Sequence, residues 1–358
     1  MPGRYPPAGY GEPMLLRALR AAMAQLGRAA AGAPDERRPL RAAVALSGGA
    51  DSAMLALHAA LALRDLSGVE LHCFHIHHGL QAMADAWQEH VHHLAAGLRL
   101  PCHSLRVEVA RHDGKGVEAA AREARYGGLK RLAELTGVSH ILLAHHRNDQ
   151  AETVLMRLLR GAGPTGLAAM SPSTRRDGLV YLRPWLNVDR RLIVAAARDY
   201  AEHSGWLSVD DPTNLDDIYA RGAVRRRLAP VLDARWPAWR ATLARHARQS
   251  RELAGLIDDI AAEDFQRLDP AADASAFSLA AWRELSPPRQ ILVLRHWLRL
   301  HGLRAPTDAR MGELCRQLRG LHAMGHDRNM RMRHEGCWIR CERGRVRLLR
   351  SHDTDESR

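Results

Sequence analysis

The stretch RAAVALSGGADS, from Arg41 to Ser52, decides the fold. Ala42, Ala43, Val44, Ala45 and Leu46 form a short apolar run without helical spacing, the pattern of a buried strand. Ser47-Gly48-Gly49 breaks that strand, and Asp51-Ser52 opens an Ala/Leu-rich helical pattern that continues through Leu63. Strand, glycine turn and helix start together make a phosphate cradle. Backbone N–H groups converge at the helix N-terminus, and glycines admit close approach. No lysine follows the glycines, so the loop is not a Walker A sequence. Ser47 and Ser52 can donate hydroxyl hydrogen bonds, whereas Asp51 suits a phosphate only with Mg2+ between them. SGG alone is explained as well by a tight turn with Asp or Ser as N-cap. The whole of SGGADS in a strand–loop–helix setting favours a nucleotide.

Outward from this loop, strand and helix patterns alternate. Met14–Ala30 has helical spacing, Val69–His77 alternates as a strand, Ala84–Leu98 is helical and Cys102–Val109 is another strand. Val117–Leu135 reads as a helix, Ile141–Ala144 as an apolar strand, Asn148–Leu159 as a helix and Leu179–Arg183 as a further strand. This order predicts a doubly wound α/β fold, a parallel sheet with helices on both faces. Ligands of such sheets bind at the carboxyl ends of the strands. Four segments fall at those ends: the SGGADS loop, His75–Gly79, Glu118…Arg122…Arg125-Tyr126, and Ala144–Thr153. Glu118, Arg122 and Arg125 can share one helical face, which in isolation reads as a solvated salt-bridge face. Asp149 and Glu152, three apart at a helix start beside His145 and His146, suit a cation, either Mg2+ or an amine. Arg160–Gly166 needs no more than a helix C-cap and connection to explain it, and Asp210–Asn214 is a turn cluster.

Beyond Tyr219 the chain turns basic. Arg221, Arg225, Arg226, Arg227, Arg235, Arg240, Arg245, Arg248 and Arg251 interleave with Trp236 and Trp239. Arginine on phosphate with tryptophan on bases, or an amphipathic helix with its tryptophans in the core, explains the run equally well. Leu253–Phe265 reads as a connecting helix; helices follow over Ser286–Leu300 and Thr307–Leu318. Asn329–Arg333, Cys337–Cys341 and Arg345–Leu349 read as short strands. A chain of 358 residues divides into two or three domains, and its net charge of +12 points to a polyanionic partner, nucleic acid first. The basic residues are arginines apart from Lys115 and Lys130. Five scattered cysteines without a CxxC pair argue against a disulfide scaffold, a zinc ribbon and sulfur chemistry. There is no membrane-length apolar run and no signal-peptide core, so a cytoplasmic location is expected.

SGGADS resembles the PP-loop of the N-type ATP pyrophosphatases, which cut ATP between its α- and β-phosphates. The wider set of motifs is similar to the tRNA(Ile)-lysidine synthase family. It comprises His75–Leu80, Glu118…Ala121-Arg122…Arg125-Tyr126, the run LAHHRNDQAETVLMRLLRGAGPTG from Leu143 to Gly166, Arg183-Pro184, Val209–Asn214 and Arg221–Pro230. This resemblance implies a PP-loop catalytic domain over residues 41–220 after an N-terminal extension over 1–40. A basic helical linker over 221–265, a small tRNA-contacting α+β domain over 266–350 and a polar tail over 351–358 would follow. The activity implied is ATP-dependent ligation of free L-lysine to the wobble cytidine of the isoleucine tRNA with a CAU anticodon, through an adenylated cytidine. A homodimer is also implied. Carried over by position, Ser47, Gly48, Gly49, Ala50, Asp51 and Ser52 hold ATP, with Mg2+ on Asp51. Arg122 and His145 neutralise charge at the α-phosphate, Asp149 and Glu152 take the lysine ammonium groups, and Arg221 takes the lysine carboxylate or the nucleotide. The chain departs from the family at His77 (usually Asn), Gln81 (usually Arg), Asn148 (frequently Asp) and Gly222 (commonly Asn). Rival readings are a tRNA thiolation enzyme of the same class, a small-molecule amidating synthetase, and a non-catalytic RNA-binding protein.

Overall fold

The computed structural model describes residues 11–32, 39–79, 83–109, 117–209, 217–321 and 330–350. Residues 1–10, Gln81, the Asp210–Asn214 cluster, the polar tail and the side chain of Glu118 lie outside them. The chain forms two compact units, Met1–Ser250 and Arg251–Arg358.

The first unit contains α1 (Pro13–Ala31), β1 (Leu40–Ala45), α2 (Ala50–Ala62), β2 (Val69–His77), α3 (Ala84–Gly97), β3 (Cys102–Arg106) and α4 (Val117–Thr136). It continues with β4 (His140–Leu142), α5 (Arg147–Leu159), α6 (Pro164–Leu167), β5 (Ser173–Arg176), β6 (Leu179–Leu182) and α7 (Arg190–Ser204). Then come α8 (Ala220–Ala223), a π-helical turn over Val224–Leu228 and α9 (Ala229–Arg235). The sheet order is β3-β2-β1-β4-β6-β5. Every neighbouring pair is parallel except β5 with β6. The sheet is thus the parallel-dominant, doubly wound one expected, with one antiparallel edge strand added. Ser173–Arg176 carries no apolar residue, so the sequence lacks the alternation that marks a strand.

Alternation explains the two layers. Ala42, Val44, Leu71, Cys73, Leu142, Val180 and Leu182 face a core closed by α1, α2, α3 and α7. Ala43, Phe74, Ile141 and Tyr181 face the opposite core, closed by Tyr126, Leu129 and Leu132 of α4. On α1, Leu15, Leu19 and Leu26 are wholly buried, each contributing about 1.5–3 kcal/mol. Trp185 Nε1 donates to the Leu15 carbonyl at 3.2 Å, tying that helix to the sheet. The chain leaves β1 towards β2 and β3 and later returns to its other side as β4. The carboxyl ends of β1 and β4 therefore flank the topological switch point, where such sheets bind ligands.

A single helix, α10 (Trp239–Arg267), replaces the separate connecting helix expected over Leu253–Phe265, and the boundary between the units falls inside it. No proline interrupts this span, so nothing ends the helix before Asp269-Pro270. The second unit adds β7 (Ala276–Ser278), α11 (Leu279–Glu284), α12 (Pro287–Leu300), α13 (Asp308–Gly320), β8 (Met330–His334), β9 (Cys337–Glu342) and β10 (Arg345–Arg350). Its antiparallel sheet has the order β7-β10-β9-β8. Phe277, Ile339 and Val346 pack on Trp282, Trp297 and Leu314. Wholly buried Asp264 receives two hydrogen bonds from Arg289, at 2.6 and 2.7 Å. Alternation puts Trp338 and Arg340 on the opposite sheet face. There Arg331, Arg340 and Arg347 stand in register across three strands, with the Arg331 guanidinium 3.9 Å from the Trp338 ring centre. All five cysteines are free; Cys73, Cys315, Cys337 and Cys341 are buried and Cys102 is half-buried.

Candidate active site

The turn after β1 is held open by glycine. Gly48 has φ +91°, and a Cβ there would lie 3.2 Å from methyl carbons of both Val91 and Val209. The Val209 N–H straps the loop by donating to the Gly48 carbonyl at 3.0 Å. Gly49 is the N-cap of α2 and supplies no side-chain cap, so the first-turn N–H groups are available to an anion. Ser52 Oγ accepts from the Ser47 N–H at 3.1 Å and donates to the Gly49 carbonyl at 3.1 Å. The Ser47 and Ser52 hydroxyls are 3.0 Å apart. The loop is thus held in place by its own hydrogen bonds with its helix N-terminus uncapped.

Asp51, in the first turn of α2, accepts from Arg190 Nε at 3.2 and 3.3 Å. His146 Nε2 is 3.7 Å from its carboxylate. Burial pushes the Asp51 carboxyl up, but His146 and Arg190 outweigh it and hold the group below the usual range. The chain reaches α5 through His145 and His146. His146 caps that helix: its Nδ1 accepts the Asp149 N–H at 3.4 Å, and Asp149 Oδ2 accepts the His146 N–H at 3.1 Å. Burial disfavours charge on His146, yet Asp149 and Asp51 raise its pKa. Burial also acts upward on Asp149, and the two histidines with Arg221 bring it below the usual range.

His145 behaves oppositely. Burial brings its pKa down to about 3, and Arg183, Arg122 and Arg221 act in the same direction. Its Nδ1 has no partner among the described residues. At neutral pH the ring is uncharged, so it can donate or accept a hydrogen bond but cannot supply the positive charge expected of it. Arg122 is close enough for its charge to bear on His145, and its Nη2 lies 3.4 Å from the Tyr126 hydroxyl. On β2, His75 meets the Leu46 carbonyl at 2.9 Å, bracing the strand end that delivers the loop. His77 meets Asp85 at 2.9 Å and so joins β2 to α3.

The acidic pair on α5 is where the expected residues meet the basic segment. Asp149 and Glu152 are buried, at 8% and 5% exposure. Arg225, in the π-helical turn, donates from Nε to Glu152 Oε1 at 2.9 Å and from Nη2 to Glu152 Oε2 at 3.0 Å. The same Nη2 reaches Asp149 Oδ1 at 3.1 Å. Arg221, one turn earlier, donates to Thr153 Oγ1 at 3.2 Å and lies 3.5 Å from Glu152. The pair that suits an ammonium thus already holds a guanidinium. Arg225, His146 and Arg190 were not singled out as site residues by sequence reasoning. The i,i+4 spacing of Arg221 and Arg225 was the available signal for the first. The two tryptophans divide: Trp239 is core and donates to Asp233 at 2.8 Å, whereas Trp236 is exposed. Among the described residues no group of three or more His, Cys, Asp or Glu side chains could hold a metal by itself.

A glycine-turn phosphate cradle on the central strand of such a sheet, facing buried carboxylates across the switch point, defines a PP-loop nucleotide-binding protein. Family models agree: residues 22–232 match the PP-loop domain, an ATP-binding family, and residues 277–347 match the TilS substrate binding domain. The chain is 58% identical over 308 residues to the tRNA(Ile)-lysidine synthase of Bordetella bronchiseptica, covering 86% of this chain and 89% of that protein. It is 49% identical over 285 residues to the synthase of Ralstonia nicotianae, covering 79% and 60%. The U34-tRNA thiolase NcsA of Methanococcus maripaludis, solved with its [4Fe-4S] cluster, shares the fold. There the TM-score is 0.50 and the identity 12%, over 65% of this chain and 79% of that one. The protein belongs to the tRNA(Ile)-lysidine synthase family. No helix among the described residues is long and apolar enough to cross a membrane.

Proposed function

We propose that the protein joins L-lysine to the wobble cytidine of the CAU-anticodon isoleucine tRNA, using ATP and releasing pyrophosphate and AMP. The observation that carries this reading is the meeting of a phosphate cradle with the Asp149/Glu152 pair at one switch point. In the first step the cytosine carbonyl oxygen attacks the α-phosphorus of ATP, and the bond to the β-phosphate oxygen breaks. Ser47, Gly48, Gly49, Ala50 and Ser52 hold the departing pyrophosphate. Arg122 offsets charge at the α-phosphate, with neutral His145 as a hydrogen-bond partner. Pre-aimed donors and charges of this kind are worth several kcal/mol at the transition state. One carboxylate completed by phosphates and water is an ordinary Mg2+ environment, which fits Asp51 once Arg190 yields it. The bound ion would neutralise phosphate charge.

In the second step the uncharged lysine amine attacks the activated carbon, the carbon–oxygen bond breaks and AMP leaves. Adenylation converts a poor leaving oxygen into a good one. Asp149 and Glu152 hold and orient lysine through its ammonium charge, and Arg221 faces its carboxylate or the nucleotide. The row Arg331, Arg340 and Arg347 supports an RNA partner for the second unit, because bidentate arginines suit a phosphate backbone.

The test is transfer of labelled lysine to a CAU-anticodon isoleucine tRNA transcript. Labelling should require ATP and disappear when the wobble cytidine is replaced. Pyrophosphate release with tRNA but no labelling would leave adenylation standing and remove lysine as the nucleophile.

A further inference from the structure

The acid pair is charge-satisfied before any substrate arrives. Both Glu152 oxygens and Asp149 Oδ1 accept from Arg225, while Asp149 Oδ2 accepts from the His146 N–H. Around the cradle stand the carboxylates Asp51, Asp149 and Glu152, against the cations Arg190, Arg221 and Arg225. Among the described residues an arriving ammonium finds no carboxylate to spare. An arriving phosphate finds guanidinium groups, which bind it bidentately as readily as they bind carboxylate.

Arg225 is placed to exchange between the two. Its side chain retains 28% exposure while the Glu152 side chain it pairs with has 7%, so the arginine is the more solvent-accessible partner. It sits in the π-helical turn over Val224–Leu228, an irregularity that interrupts α-helical bonding and is common at functional positions. Arg226 and Arg227 of the same turn are exposed, so a polyanion that engages this turn meets Arg225 as well.

We propose that Arg225 makes the lysine site conditional: it occupies Asp149 and Glu152 as an internal stand-in for the substrate ammonium, and passes to a phosphate when one binds. Lysine then follows phosphate. This ordering keeps a free amine away from the activated centre until adenylation is set up. The inference rests on the lysine-ligating reading of the site and adds the residue that controls it. The phosphate can belong to the RNA backbone or to ATP, and each predicts a different experiment.

Equilibrium dialysis of labelled lysine, without turnover, separates the cases. The full-length protein is measured alone, with the tRNA transcript, and with a non-hydrolysable ATP analogue. Lysine affinity should rise tenfold or more with one of the two phosphate carriers, a coupling of ordinary allosteric size. Arg225→Gln should bind lysine without either carrier about as tightly as the wild type does with one. A merely structural role would weaken lysine binding instead. Equal lysine affinity in wild type under all three conditions overturns the inference while leaving the lysine site intact. No lysine binding under any condition, with no transfer in the labelling assay, removes the underlying reading.

Discussion

His145 and His146 are neighbours with opposite electrostatics. His145 lies among arginines and is buried, which keeps it neutral, while His146 lies between Asp149 and Asp51. The raised His146 pKa contributes stability that is fully present below its unfolded value of about 6.5 and lost as pH rises through the higher folded value. The lowered Asp51 and Asp149 values act at the other end, with stability lost as pH falls through them, below 3.8. The wild-type advantage in urea midpoint over His146→Asn should therefore shrink as pH rises from about 6 to about 9, a difference that cancels the other histidines. A difference between the two proteins that stays constant with pH would sink this account. Glu152→Gln should raise the lysine requirement about tenfold or more and leave the ATP requirement nearly unchanged, as steady-state kinetics can measure. Equal effects on both would remove the lysine assignment. Asp149 and Glu152 were legible in sequence because a three-residue spacing defines a helix face locally. Arg225 was not, because its partner is 73 residues away and many arginines compete for the role.

At the scale of elements, the loop after β1 is the least replaceable piece. Gly48→Ala puts a β-carbon into a left-handed backbone position and against two valines at 3.2 Å. A cost of about 1–3 kcal/mol is expected, read as a lower thermal midpoint together with weaker ATP binding. A variant with wild-type midpoint and affinity would show that the loop relaxes freely. Most of the alternating elements up to β6 were legible because the central strands read as apolar or alternating runs between helical patterns, with both faces of the sheet covered. The edge strand β5 was not, since Ser173–Arg176 is polar and takes its register from β6. The continuity of α10 was also hidden. Basic residues fill its first half and Leu256, Ile257 and Ile260 its second, so one helix reads as two segments.

For the whole molecule, composition announced a polyanionic partner, and each unit proved to have its own core. How much RNA surface each unit offers was not legible, because arginines are spread along the entire chain. The cysteines carry a different consequence. Cys73 and Cys102 sit opposite one another on β2 and β3 in the first unit, while Cys315, Cys337 and Cys341 belong to the second. Burial pushes the Cys102 thiol up to about 12, and that of Cys73 higher still, so neither forms thiolate in the native state. Reaction of the buried Cys73, Cys315, Cys337 and Cys341 with a thiol-specific reagent then requires opening of the surrounding core. Mass spectrometry of labelled peptides across a urea series should give two separate midpoints, one for each set. A single shared midpoint would mean that the two units unfold as one. The wild-type chain thus carries, without any engineered label, a chemical clock in each unit.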